Sequence, residues 1–211
     1  MKDNVFFVSG IDTNVGKSYA TGYLAKTWNE QGVRTITQKF IQTGNVGMSE
    51  DIELHRKIMG TGLLPEDESG LTMPEIFTYP CSPHLAAEID HRPIDFDKIE
   101  KATRQLSETY DAVLLEGAGG LMVPLTRDLL TIDYVAQKNY PLIFVTSGKL
   151  GSINHTLLSL EAVTRRGIRL HTVAYNLFPE EDDDIIRRDT EAYIRDLLAK
   201  EYPETHFVIV P

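Results

Sequence analysis

The chain has 211 residues, 42% of them hydrophobic and 25% charged, with 31 acidic against 21 basic side chains and a formal net charge of −10. Such a composition belongs to a globular chain long enough for one well-buried domain. The acidic balance argues against nucleic acid or an anionic membrane as partner and leaves room only for a local basic pocket. A single cysteine, Cys81, excludes an intramolecular disulfide, and no apolar run reaches the length of a membrane span. With no apolar leader after Met1, the expected location is cytoplasmic.

In chain order, the apolar strand at residues 5–8 runs into Ser9-Gly10-Ile11-Asp12-Thr13-Asn14-Val15-Gly16-Lys17-Ser18 and then into a helix. Strand, glycine-bounded turn and helix form the layout of a phosphate-binding loop. Backbone N–H groups and a helix N-terminus converge there, where the helix dipole favours an anion. Lys17 is placed to reach terminal phosphate oxygens, and the Ser18 hydroxyl to ligate Mg²⁺. Five residues separate Gly10 from Gly16, one more than in the usual G-x-x-x-x-G-K-[ST].

The helix is expected to end near Gly32, followed by a strand at 35–40 and a loop at 42–50. A short helix at 51–59 is stopped by Gly60, and residues 61–75 are expected to run over the surface. Residues 76–79 read as a short extended piece broken by Pro80 and Pro83. Cys81, before Ser82-Pro83-His84, reads either as a thiol nucleophile or as a small half-buried side chain. Asp97-Lys98-Ile99-Glu100 has the form of a capping box with Asp97 as N-cap, opening a helix with Ile99, Ala102 and Leu106 on one face. Continuous apolar strands follow at 112–115, 142–145, 172–175 and 207–210, separated by helical patterns at 129–138, 154–166 and 183–200. Strands this uniformly apolar are covered on both faces. The predicted fold is therefore one α/β domain over residues 1–211, a mostly parallel sheet with helices on both faces. The acidic run at 180–184 reads either as a metal site or as a solvated helix start.

Ligands of such sheets bind beyond the carboxyl ends of the strands. The polar residues there are the loop 10–18, Lys39 with Thr43, Glu116 with Gly117, Gly119 and Gly120, residues 147–154, and Asn176. Glu116 closes an apolar strand and with Ser18 suits Mg²⁺. Asp51 is either a further ligand or the N-cap of its helix. Lys39 is either a charge clamp on phosphates or a solvated strand-end lysine. The glycines after Glu116 leave room for a ligand or simply make a turn.

Gly10-Ile-Asp-Thr-Asn-Val-Gly-Lys-Ser18, Lys39 with Thr43-Gly44, Ser82-Pro83-His84, Glu116-Gly-Ala-Gly-Gly120 and Lys149-Leu-Gly-Ser-Ile-Asn-His155 together resemble the dethiobiotin synthetases in order and rough spacing, from residue 5 to 176. The resemblance implies a P-loop NTPase-like fold and an ATP- and Mg²⁺-dependent cyclo-ligase. Its substrates are 7,8-diaminononanoate and CO₂ or bicarbonate, and its products dethiobiotin, ADP and phosphate. The implied route runs through a carbamate and a carbamic-phosphoric mixed anhydride. Matched position by position, the implied catalytic residues are Lys17 and Lys39, and the metal ligands Ser18, Asp51 and Glu116. The implied nucleotide contacts are Thr13, Asn14, Val15, Gly16, Lys17, Ser18 and Tyr19 of the loop, with Asp51, Glu116, Gly117, Ala118 and Gly119. Asn176 matches the residue that reads the base. Thr43, Gly119, Gly151, Ser152 and Asn154 match substrate contacts, the last three reaching across a homodimer interface.

Four departures stand out: Phe40 in place of proline after the lysine, Ser18 for the commoner threonine, Asn14 where an acid often occurs, and an end at Pro211 where relatives continue. The last leads to an expectation of looser discrimination among nucleotide bases. The rival reading is a P-loop ATPase switch of the partitioning or septum-site type, which acts through partner or membrane binding. Its loop carries a second, early lysine, and the corresponding positions here hold no basic residue.

Overall fold

A computed structural model describes residues 4–178 and 183–211. In chain order the elements are β1 (Val5–Gly10), α1 (Lys17–Glu30), β2 (Thr35–Lys39), β3 (Gln42–Thr43), α2 (Glu50–Met59), α3 (Pro65–Glu68), β4 (Ile76–Phe77) and α4 (Pro83–Ile89). They continue as α5 (Phe96–Thr109), β5 (Ala112–Gly120), α6 (Thr131–Lys138), β6 (Leu142–Ser147), α7 (Ser152–Arg165), β7 (Leu170–Asn176), α8 (Asp184–Glu201) and β8 (His206–Val210).

Six strands form one parallel sheet in the order β2-β5-β1-β6-β7-β8, as the apolar runs predict. Side chains alternate across a strand, and both sets are buried here. Phe7, Val113, Leu115, Phe144 and Val173 join a core that includes Ile99 and Leu106 of α5, Val135 of α6, Leu160 of α7 and Ile194 of α8. Val8, Leu114, Ile143 and Ala174 join a second core with Ala20 and Leu24 of α1. Helices therefore cover both faces, and the solvent-facing chemistry is confined to the strand ends. Central β1 lies between β5 and β6, so the loop after it opens where the strand order reverses, the place where such sheets bind ligands.

Several local expectations are corrected. Asp97 is not an N-cap: Asp95 takes that position, with extended-side backbone and its carboxylate accepting from Lys98 N at 2.9 Å. Asp97 thereby falls inside the first turn. Ser49, not Asp51, caps α2, its hydroxyl accepting from Ile52 N at 3.2 Å. This leaves the Asp51 side chain free to point elsewhere. Residues 61–75 are not a surface run, because Asp67, Thr72, Met73 and Glu75 are buried. Asp67 receives both ends of the Arg56 fork at 2.8 Å and the Thr72 hydroxyl at 2.7 Å, which pins this segment beneath α2. The predicted loop at 42–50 contains β3, which pairs in parallel with β4, and a short helix, α4, follows Pro83. Finally, β5 runs past Glu116 to Gly120, so Glu116 sits within the strand, level with Val8 and Lys39. Asp183 caps α8 by accepting from Ile185 N and Ile186 N, the solvated helix start of the two readings; Glu180, Glu181 and Asp182 lie outside the described residues.

Candidate functional site

The loop between β1 and α1 folds as its glycines require. Gly16 has φ +82°, a conformation glycine adopts without penalty, and a Cβ there would meet Asn176 Nδ2 at 2.1 Å. Asn176 is fully buried at the end of β7. Its Nδ2 donates to the Val15 carbonyl at 2.9 Å, and its Oδ1 accepts from Phe178 N at 3.2 Å. Asn176, the expected reader of the base, also braces the loop from behind. One N–H of Nδ2 and one lone pair of Oδ1 are thereby committed within the chain.

Lys17 at the start of α1 is buried and turns back over the loop, donating to the carbonyls of Asp12 at 2.7 Å and Thr13 at 3.1 Å. Burial lowers its pKa to about 8, against the attraction of Glu116. Beside it the Ser18 hydroxyl lies 2.7 Å from Asp51 Oδ1 and 2.9 Å from Glu116 Oε1. Lys39 closes the cluster, its ammonium bridging the carboxylates of Asp51 and Glu116, 2.8 Å from Oε1 of the latter. It is buried, so the solvated alternative does not hold. Burial alone would lower the Lys39 pKa, but Glu116 and Asp51 hold it above the ordinary lysine value. Burial alone would likewise raise the Glu116 carboxyl, but the Lys39 ammonium and the His55 ring hold it well below the usual carboxylate range. The site is therefore charged in spite of its burial.

The donor set fits a hard divalent cation. Among the described residues no group of three or more His, Cys, Asp or Glu side chains is arranged to hold a metal alone. Mg²⁺ seldom needs such a cage, since one or two carboxylates plus phosphate oxygens suffice. Ser18 Oγ carries one hydrogen yet touches two carboxylate oxygens, so one contact sets oxygen against oxygen with no proton between. A cation bound to these three oxygens would relieve that opposition.

These groups line a cleft of about 1340 Å³. Thr13, Asn14, Gly16, Tyr19, Thr43, Ala118 and Gly119 also line it, as do Pro80, Cys81, Ser82 and Pro83 on one wall and Leu177, Phe178 and Pro211 on another. Val15 and Gly117 stand behind. A Cβ at Gly117 would meet the Phe7 ring at 2.8 Å, so packing against β1 requires a glycine there. Phe40, the departure from proline, fills the core against Phe7, Phe96 and Tyr134. Cys81 is half-buried, as the second of its two readings has it, and burial pushes its thiol up.

Gly151, Ser152 and Asn154 are not brought into the cleft. Ser152 is buried with its hydroxyl 3.1 Å from that of Ser147, whereas Gly151 and Asn154 are exposed at the start of α7. Nearby Leu150 and Leu158 are 72% and 59% exposed, while Leu160 and Val163 belong to the core. Among the described residues no helix is long and apolar enough to cross a membrane.

Sequence reasoning missed His55. It is fully buried, with Nε2 2.7 Å from Glu116 Oε2. Its signal is its position four residues after Asp51, on the same face of α2.

A protein-family model described as AAA domain matches residues 4–206. The ATP-dependent dethiobiotin synthetase BioD 2 of Pasteurella multocida is 52% identical over 98% of this chain and 96% of its own length. That of Haemophilus influenzae is 57% identical over 87% of this chain and 96% of its own length. The ATP-dependent dethiobiotin synthetase BioD of Chlorobaculum tepidum is 52% identical over 90% and 80%. Among solved structures, the MinC:MinD cell division protein complex of Aquifex aeolicus aligns with a TM-score of 0.56 at 13% identity, over 99% of this chain and 81% of that one. Chloroplast FtsY of Physcomitrella patens aligns with a TM-score of 0.53 at 14% identity; the match spans this whole chain and 59% of that one. At such identities these two establish a shared fold and nothing more.

Proposed function

The chain belongs to the family of ATP-dependent dethiobiotin synthetases, and we propose how its cleft carries out the ring closure that this membership entails. It is an ATP-dependent cyclo-ligase of biotin biosynthesis, with dethiobiotin as product and 7,8-diaminononanoate and CO₂ as the implied substrates. The remainder is our reading of the residues.

One amine of the diamine takes up CO₂ and loses a proton, forming a carbamate. A carbamate oxygen attacks the γ-phosphorus of ATP, ADP leaves, and a carbamic-phosphoric anhydride results. The second amine then attacks the carbonyl carbon and loses a proton to solvent, phosphate leaves with the bonding pair, and the urea ring closes. Each partner in the phosphoryl step is anionic, so catalysis consists mainly of neutralising and aligning charge. The loop from Thr13 to Tyr19 receives the triphosphate at the N-terminus of α1. Lys17 swings from its own loop carbonyls to the β- and γ-oxygens. Lys39 meets the charge spread over the transferring phosphoryl group. Ser18, Asp51 and Glu116 would hold Mg²⁺, which supplies neutralisation of the phosphate oxygens. Thr43 and Gly119 border the diamine. The base lies along Leu177, Phe178 and Pro211, with Asn176 bracing the loop.

Gly151, Ser152 and Asn154 stand outside the cleft of their own chain, and Leu150 and Leu158 are exposed around them. This supports a homodimer in which that loop completes the partner's substrate pocket. In this reading residues 1–211 act as one domain, in the cytoplasm. The rival switch reading has no observation in its favour beyond the shared fold.

The observation that carries the proposal is the convergence of Ser18, Lys39, Asp51 and Glu116 beside the phosphate loop. The test is incubation with ATP, Mg²⁺, bicarbonate and 7,8-diaminononanoate. Cyclic urea by mass with equimolar phosphate is expected. Phosphate release that does not depend on the diamine would contradict the mechanism.

A further inference from the structure

Glu116 is a carboxylate with no exposed surface, and its two oxygens have different company. Oε1 faces the phosphate loop, with Ser18 Oγ at 2.9 Å and Lys39 Nζ at 2.8 Å. Oε2 faces away and meets His55 Nε2 at 2.7 Å. A carboxylate oxygen only accepts, so Nε2 carries the hydrogen in this contact. The other ring nitrogen, Nδ1, is 3.0 Å from Thr37 Oγ1. That hydroxyl already accepts from Arg56 Nη1 at 2.8 Å, and a guanidinium only donates. The Thr37 hydroxyl holds Nδ1 on the side away from Glu116, and the two contacts together fix the plane of the ring. Arg56 is in turn locked by Asp67 on both oxygens. A continuous buried chain thus runs from Asp67 through Arg56, Thr37 and His55 to Glu116.

From this geometry we propose that His55 is a positioning residue for the metal site, orienting Glu116 so that Oε1 is presented beside Ser18 and Asp51. The inference rests on the reading of Glu116 as a metal ligand. Two physical consequences support it. Without a donor on Oε2, a fully buried carboxylate oxygen is left unsatisfied, and the carboxylate turns to share both oxygens with the Lys39 ammonium. Ligating carboxylates are themselves commonly held by such hydrogen bonds, and their loss typically costs ~10–100-fold in metal affinity. The helix makes the arrangement economical. One turn of α2 separates Asp51 from His55, so one rigid element sets a carboxylate on the Ser18 side of the cluster and a clamp behind Glu116.

The test measures Mn²⁺ affinity of the full-length protein loaded with the non-hydrolysable analogue AMPPCP, from the EPR signal of free Mn²⁺. Analogue affinity in EDTA is measured alongside. His55→Asn retains polarity but does not reach Oε2, whereas the amide nitrogen of His55→Gln falls where Nε2 lies. The expected result is a ~10–100-fold loss of Mn²⁺ affinity in His55→Asn, with metal-free analogue affinity unchanged and most of the loss recovered in His55→Gln. Mn²⁺ affinity within twofold of the unsubstituted protein in His55→Asn would overturn the proposal, as would parallel loss of metal-free binding. Glu116→Gln and Asp51→Asn separate the two levels. If they weaken Mn²⁺ binding and His55→Asn does not, only the role of His55 fails. If they too leave it unchanged, the metal reading itself fails and this inference falls with it.

Discussion

The ends of β1, β2 and β5 and the start of α7 lie on the same rim of the sheet and differ in almost every physical respect. At the first, Lys17, Lys39 and Glu116 are buried, Asp51 is half-buried, and each is paired or hydrogen-bonded. At the second, Gly151 and Asn154 are exposed, and Leu150 projects into solvent with 72% of its surface accessible. Charges buried in this way are costly unless mutually compensated, so the phosphate half of the site is pre-built within one chain. The α7 loop carries no such investment. The comparison teaches that the chain has a rigid, charge-compensated centre and an open edge, the edge that the proposed homodimer would complete.

The largest effect is expected inside the rigid centre. Lys39→Gln should lower kcat by on the order of 10²–10³-fold while changing ATP affinity far less, because the lost charge acts mainly on the transition state. Steady-state kinetics beside equilibrium binding of ATP checks the split. Normal turnover at saturation with weakened ATP binding would move Lys39 to the ground-state contacts and blur the distinction between the two regions.

The rigidity itself is tested next. Asp67→Ala leaves the Arg56 guanidinium buried without its carboxylate, an expected loss of about 3–5 kcal/mol of stability. Denaturant unfolding reads it. Asp184→Ala, which breaks an exposed i,i+3 pair with Arg187, should change stability by less than about 1 kcal/mol. Equal losses would mean that the network under α2 is not what stiffens the centre.

The smallest effect is a pH dependence. Burial depresses the Lys17 pKa to about 8, and only the protonated form attracts phosphate. ATP affinity should therefore be full well below pH 8 and fall as pH rises through it, with proton uptake on binding near pH 8. The stability sign is the opposite. Between about pH 8 and the ordinary lysine value the unfolded chain binds the extra proton, so folding is favoured as pH rises there. Titration calorimetry in buffers of different ionisation enthalpy measures the uptake. Its absence near pH 8 would show that Lys17 is not the group that meets the phosphates.

The contrast also explains what was readable in the residues. Sheet strands announce themselves as apolar runs because both faces are covered, so the strand ends, and with them Lys39, Glu116 and the phosphate loop, could be located. Asp51 is ambiguous in sequence because a helix start and a metal ligand both favour an acid; Ser49 taking the cap removes the cap reading. His55, Thr37, Arg56 and Asp67 were not legible, since a buried polar network follows from three-dimensional coincidence and leaves no period in the chain. Polar residues at 61–75 read as surface for the same reason, although Asp67 and Glu75 are buried. Asn176 was located correctly at the end of a strand, but its amide reaches the Val15 carbonyl only because Gly16 has no Cβ.

The division of labour between centre and edge is tested most directly by mixing Asn154→Ala chains with Lys39→Gln chains. Each variant alone should be inactive or nearly so. If the α7 loop completes the partner's pocket, half of the randomly exchanged dimers are mixed and each has one intact site, so about a quarter of the unsubstituted activity should return. No activity above that of the separate variants, with chain exchange demonstrated, would contradict the account and confine each site to a single chain.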